Sequence, residues 1–334
     1  MTVNRFVLSI LFLFLTPISA LSQKIILVDS TTTASLRGLS VVNDNLIWVS
    51  GSKGTVGKSL DGGKTWKYFS VPGFENADFR DIEAFDAKTA VIMNIQHPAC
   101  ILKTTDGGKT WKSTFSPPDT TLFLDAMEFW NEQSGILLGD PIKNHFFIAR
   151  TFDGGDTWRI LPSTLTPIAD SGEACFASSG TNVRKLNKSE AVFVSGGFSS
   201  NFFSRSEKIK LPLSQGKEST GANSIAIKNK KIMIVVGGDF MKKNDMPGNA
   251  CYTVDGGKNW LIPEKAPSGY RSCVEFIRQN TWITCGLNGV DQSNDDGKTW
   301  QNISDYSFHV IRKAKKGKSV FLAGNNGRIG KLEN

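Results

Sequence analysis

The stretch Thr104-Thr105-Asp106-Gly107-Gly108-Lys109-Thr110-Trp111 is written five times in this chain, with small changes. It recurs as Ser59-Leu60-Asp61-Gly62-Gly63-Lys64-Thr65-Trp66 and as Thr151-Phe152-Asp153-Gly154-Gly155-Asp156-Thr157-Trp158. It returns as Thr253-Val254-Asp255-Gly256-Gly257-Lys258-Asn259-Trp260 and as Ser293-Asn294-Asp295-Asp296-Gly297-Lys298-Thr299-Trp300. The shared pattern is Ser/Thr-x-Asp-x-Gly-x-x-Trp. Asp-Gly is a strong hairpin signal, because the carboxylate accepts turn N–H groups and glycine tolerates positive φ. The tryptophan then brings a large apolar surface into the returning strand.

This motif is the Asp-box, and its spacing organises the chain. The aspartates Asp61, Asp106, Asp153, Asp255 and Asp295 are separated by 45, 47, 102 and 40 residues, so the long gap holds two periods. The missing slot, 172–212, contains Ala191-Val192-Phe193-Val194-Ser195-Gly196-Gly197, which resembles Ile47-Trp48-Val49-Ser50-Gly51, while its own box has decayed to residues 203–207. After the last box, residues 320–331 repeat the pattern of 47–58. That makes seven units. Their first strands are expected at 36–42, 79–85, 124–129, 174–178, 224–227, 271–276 and 309–312, each followed by three more strands. Four-stranded units at this period are propeller blades. The last unit lacks a fourth strand, which residues 24–28 can supply, closing the ring and removing an exposed edge. The expected architecture is an all-β, seven-bladed β-propeller over residues 23–334.

Residues 1–22 read as a leader. Arg5 gives a positive n-region, 6–15 an apolar h-region, and Ala20-Leu21-Ser22 a cleavage site before Gln23, or after Ala20. The expectation is an exported protein, periplasmic or secreted, with no transmembrane segment in the mature chain. The formal charge of +8 comes from scattered Lys and Arg rather than blocks, apart from 312–316. That reads as a solvated basic face, not a nucleic-acid interface. Of the five cysteines, Cys273 and Cys285 are placed to lie opposite each other across a hairpin turning at Gln279-Asn280; buried free thiols are the alternative reading.

The run from Gly51 to Trp66, Gly-x-x-Gly-x-x-x-x-Ser/Thr-x-Asp-Gly-Gly-x-Thr-Trp, resembles the repeats of the photosystem II stability/assembly-factor family, a branch of the bacterial-neuraminidase-repeat propellers. The resemblance implies a role in binding partner proteins, with an arginine patch on one face taking part. Related exported proteins often carry the label "oxidoreductase", but this chain has no G-x-G-x-x-G in a βαβ unit, no C-x-x-C and no haem attachment motif. No cofactor and no metal site is expected; His97, His145 and His309 come from separated blades without ligand spacing.

The Asp-boxes, with Trp66, Trp111, Trp158, Trp260 and Trp300, read as structural, on the bottom periphery of the ring. Function is sought at the opposite mouth. Aligning the first strands puts Arg37, Arg80, Leu124, Ala174, Asn223, Arg271 and His309 at one position near the strand start. Arg37, Arg80, Arg271 and His309 would form a basic arc. Glu173, Asp140 and Asp239 face it, the last two opening the long loops 140–145 and 239–248. Two functions are compatible with this arrangement. One is a non-catalytic, monomeric propeller that binds an exported or envelope protein, or an acidic ligand, through those arginines. The other is a sialidase-like glycoside hydrolase or lyase using Tyr270 with Glu173 or Asp239. The nearest string to the sialidase Phe-Arg-Ile-Pro signature, Phe79-Arg80-Asp81-Ile82, lacks the proline.

Overall fold

The structure, a computed structural model, describes residues 23–333 apart from 96, 97, 118, 120 and 206. The leader 1–22 and His97 lie outside the described residues. Seven antiparallel sheets are arranged as seven blades. Blade 1 runs Leu36–Val41, Ile47–Gly51, Thr55–Ser59, Lys67–Ser70, and blades 2 and 3 repeat that order from Phe79–Ala84 and Leu124–Phe129. Blade 7 pairs Val310–Lys313, Val320–Ala323 and Ile329–Glu333 with the N-terminal strand Lys24–Asp29, Ile25 lying opposite Leu332. The two ends of the described chain thus share one sheet. Among the described residues the one helical element is the 3-10 turn Ser163–Leu165, and no helix is long and apolar enough to cross a membrane.

The Asp-box turns show why the motif repeats. In blade 2 the Thr104 hydroxyl donates to Asp106 Oδ1 at 2.9 Å and accepts the Gly108 N–H at 2.9 Å. Asp106 Oδ1 also accepts the N–H groups of Lys109 and Thr110 at 3.0 Å, and Oδ2 accepts the Thr110 hydroxyl at 2.6 Å. Those bonds pull the carboxyl below its ordinary range to about 2, the Thr110 hydroxyl contributing most. The second glycine of each box is needed for packing between blades. At Gly108 (φ +87°) a Cβ would lie 2.4 Å from the Phe69 ring of blade 1, and at Gly63 it would lie 2.7 Å from Phe321 of blade 7. In blade 6 Asp296 takes the first glycine's place at φ 58°, and its carboxylate holds Lys228 of blade 5 at 2.8 Å. The boxes therefore fix turns and join neighbouring blades at the periphery.

Blade 4 departs from the pattern. A first strand is expected at 174–178, but only Glu173–Ala174 is extended, and it pairs with Gly196–Gly197 in the sheet of blade 5. The inner strand of blade 4 is Val183–Lys185, and residues 176–182 between the two leave the blade. They cross the central channel. Arg37 Nη1 (blade 1) donates to Ser178 O at 3.2 Å, and Arg312 Nη2 (blade 7) donates to Gly180 O at 3.1 Å. The Ser179 hydroxyl donates to Ser272 O (blade 6) at 2.9 Å, and Thr181 to Ser224 Oγ (blade 5) at 2.6 Å. Gly180 lies against the Asp81 carboxylate of blade 2. With Ser179, Gly180, Thr181 and Asn182 all buried, this segment plugs the channel at mid-depth.

Candidate functional site

Above the plug lies a blind cup of about 400 Å³. Its residues come from strand starts, and backbone hydrogen bonds set their register. The N–H groups of Leu36, Leu124, Ala222, Arg271 and Phe308 each donate to a carbonyl at the end of the preceding blade's second strand, at 2.9–3.3 Å. The next residue is the one turned toward the channel. In blades 1, 2, 3 and 5 it sits in a β-bulge, the device that re-aims a side chain at a sheet end. These residues are Arg37, Arg80, Asp125, Asn223, Ser272 and His309. Arg271 therefore lies one position off the expected arc, level with Leu36 and Phe308.

That shift changes its role. Arg271 is 0% exposed; Nε donates to Asp291 Oδ2 at 2.6 Å, Nη1 to Tyr270 O at 2.8 Å, and Nη2 forms an ion pair with Asp291. It ties strands together inside blade 6 and offers nothing to a partner. Glu173 is likewise internal. Its side chain is fully buried and accepts from the Ser195 hydroxyl, Asn201 Nδ2 at 2.8 Å and Lys208 Nζ at 3.0 Å. Asp239 is 8% exposed and accepts the Met241 N–H at 3.0 Å. The expected loop 140–145 is instead a strand extension, with Gly135–Ile142 and His145–Thr151 joined by a two-residue turn at Lys143 and Asn144, both at positive φ. His145 bonds Thr166 O through Nδ1 at 3.3 Å and does not line the cup.

Arg37, Arg80, Asp140, Tyr270 and His309 do meet at the cup. Arg80 Nε is held by Asp78 at 2.8 Å. Arg37 is half-buried, and among the described residues no carboxylate lies within ion-pair distance of it. Burial, then the neighbouring Arg80 charge, lowers its pKa. His309 is pushed well below the ordinary imidazole value, first by burial and then by Arg37 and Arg80, so it is neutral. Its Nε2 is 3.2 Å from Ser35 Oγ, while its buried Nδ1 has no partner among the described residues. Asp140 is raised to about 6 by burial, with Oδ1 accepting the Cys175 N–H at 2.9 Å.

Asp125 sits beside this group. It is 0% exposed, both carboxyl oxygens lack a partner among the described residues, and burial followed by Asp140 raises its pKa far above 3.8. The signal for it was an apolar–polar pair shared with Leu36-Arg37, Phe79-Arg80 and Phe308-His309. Phe176 and Phe240 wall the cup in edge contact, ring centroids 5.7 Å apart. The arrangement can bind and neutralise an anionic group. It does not assemble a catalytic set: Tyr270 hydroxyl donates to Asn223 Oδ1 at 2.8 Å, burial raises its pKa to about 12, and neither Glu173 nor Asp239 reaches the cup. Among the described residues no three His, Cys, Asp or Glu side chains gather as a metal site.

Residues 19–119 match the family model described as photosynthesis system II assembly factor YCF48. No curated protein matches the sequence. Among solved structures the chain is similar to YCF48 bound to D1 peptide, at 17% identity over 95% of this chain and 96% of that one, with a TM-score of 0.66. It is similar to YCF48 from Cyanidioschyzon merolae at 17% identity, covering 93% of this chain and 99% of that one, with a TM-score of 0.66. An ancestral GH74 enzyme matches at 10% identity over 93% of this chain and 46% of that one, TM-score 0.63. At these identities the likeness is one of fold, and propellers of this shape serve both binding and catalysis. The chain is a seven-bladed β-propeller, and its residues 19–119 match the assembly-factor model.

Proposed function

We propose that this protein is an exported, non-catalytic binding propeller that helps assemble or stabilise an envelope or exported protein. It acts as a monomer, and its arginine-lined cup receives a carboxylate of the partner. The observation that carries this reading is Arg37: a half-buried cation, held by a backbone carbonyl and matched by no carboxylate among the described residues. Burying an unmatched charge is costly, and an incoming anion recovers that cost. Arg80 adds a second positive charge at the rim, and a planar guanidinium suits a carboxylate.

Support for a protein partner comes from the relative solved with D1 peptide bound. The plug narrows how the partner is met. A cup of about 400 Å³ closed at its floor admits one or two side chains rather than a threaded segment. The segment 1–22 serves as the export signal in this reading. The sialidase-like alternative gains no support, because Tyr270, Glu173 and Asp239 do not converge. The test is capture of partners from the native envelope by the wild type and by the Arg37→Met/Arg80→Met variant. Loss of a specific partner from a folded variant supports the proposal; the same partners on both proteins overturns it.

A further inference from the structure

Cys273 and Cys285 stand directly opposite each other on the first two strands of blade 6. Directly opposed residues project to the same face of a sheet, and their Cα atoms lie about 4.5–5.5 Å apart, within the span a disulfide needs. Both are 0% exposed free thiols in the structure. The other cysteines lack such a neighbour: Cys100 lies opposite Asn94, Cys251 opposite Val235, and the Cys175 thiol donates to Val194 O at 3.7 Å. Cys273 Sγ also accepts the Ile311 N–H of blade 7 at 3.4 Å and lies 3.6 Å from the Thr181 hydroxyl oxygen of the plug. It is the point where blade 6, blade 7 and the plug meet.

We propose that Cys273 and Cys285 close into a disulfide as the chain folds under oxidising conditions, while Cys100, Cys175 and Cys251 stay as thiols. The Cys273 thiolate attacks a small-molecule disulfide, forming a mixed disulfide and releasing one thiol. The Cys285 thiolate then attacks the Cys273 sulfur and releases the second thiol. Two electrons reduce the oxidant and two protons end on its thiols. Because both sulfurs are covered in the finished ring, exchange takes place while the hairpin is open, before Phe308 and Ile311 of blade 7 pack over it. The bond would staple the blade that anchors one side of the plug. This proposal stands or falls independently of the arginine cup.

The experiment is refolding of the full chain in a glutathione redox buffer, followed by denaturation and alkylation without reduction. Trypsin cuts after Arg271, Arg278 and Lys298, so the two cysteines fall in separate peptides, 272–278 and 279–298. The expected result is those peptides linked, at a mass two hydrogens below their sum, with three alkylated cysteines. The oxidised protein should melt about 5 °C above the reduced one, and Cys285→Ser should lose both the link and the difference. Five alkylated cysteines, or a link between any other pair, would overturn the proposal.

Discussion

The plug is most exposed to test at Gly180. This residue has φ +63°, and a Cβ added there would lie 2.3 Å from Asp81 Cγ and 2.4 Å from its Oδ2. Asp81 cannot easily retreat, because it is fully buried and its oxygens accept the N–H groups of Ile82 at 2.8 Å and Met127 at 2.7 Å. Gly180→Ala therefore pays for a left-handed backbone, about 1 kcal/mol, and for overpacking against a fixed carboxylate, about 2 kcal/mol more. With an unfolding entropy of about 2.1 cal/mol/K per residue over roughly 310 residues, 3 kcal/mol lowers the melting temperature by about 5 °C. Gly73 and Gly216 provide the control. Both have positive φ, +80° and +98°, with nothing within 4 Å of an added Cβ, so alanine there should cost only about 1–2 °C. The assay is calorimetric melting of the three variants beside the wild type. If Gly180→Ala melts with Gly73→Ala, the segment does not pack against Asp81 and the blind cup has no floor.

Other perturbations separate structural charges from available ones. Arg271→Met strands the buried Asp291 carboxylate and should cost about 3–5 kcal/mol, whereas Arg37→Met, which removes a half-buried charge without a carboxylate partner, should leave the melting temperature within about 2 °C; equal losses would refute the distinction. Asp125 has a raised folded-state pKa, so its contribution is fully present below the unfolded value of 3.8 and is lost as pH rises above it. Asp125→Asn should therefore match the wild type near pH 4 and melt higher at pH 8, in thermal scans across that range. The lowered Asp106 works in the opposite sense: Asp106→Ala should melt below the wild type at pH 7, with the gap closing as pH falls from about 4 to about 2.

The blades were legible because their signals are local. Ser/Thr, Asp, Gly and Thr or Asn of each box bond within four residues, so the turn chemistry can be read off the string. The hairpin placing Cys273 opposite Cys285 was readable for the same reason. The site was legible only in part. Arg37, Arg80 and His309 were found, but Arg271 was placed one position off, in a blade whose first strand has no bulge at its start. The backbone register, in which the Arg271 N–H bonds Gly237 O as the Leu36 N–H bonds Gly324 O, puts Ser272, not Arg271, in the slot. Glu173 looked like a rim charge because its partners Ser195, Asn201 and Lys208 lie 22 to 35 residues downstream. The plug left no local trace beyond a run of small residues, Ala177-Ser178-Ser179-Gly180-Thr181. Its contacts to Arg37, Arg312 and Ser272 span 141, 132 and 93 residues, and only closure of the ring brings them together.

The central claim is that a partner's carboxylate docks on Arg37. The direct measurement is calorimetric titration of the captured partner into wild type and Arg37→Met, both checked for an unchanged melting temperature. Truncating one member of a buried charge pair costs about 2 kcal/mol or more, so the account predicts a Kd weakened about 30-fold or more. An unchanged Kd for the folded variant would contradict it.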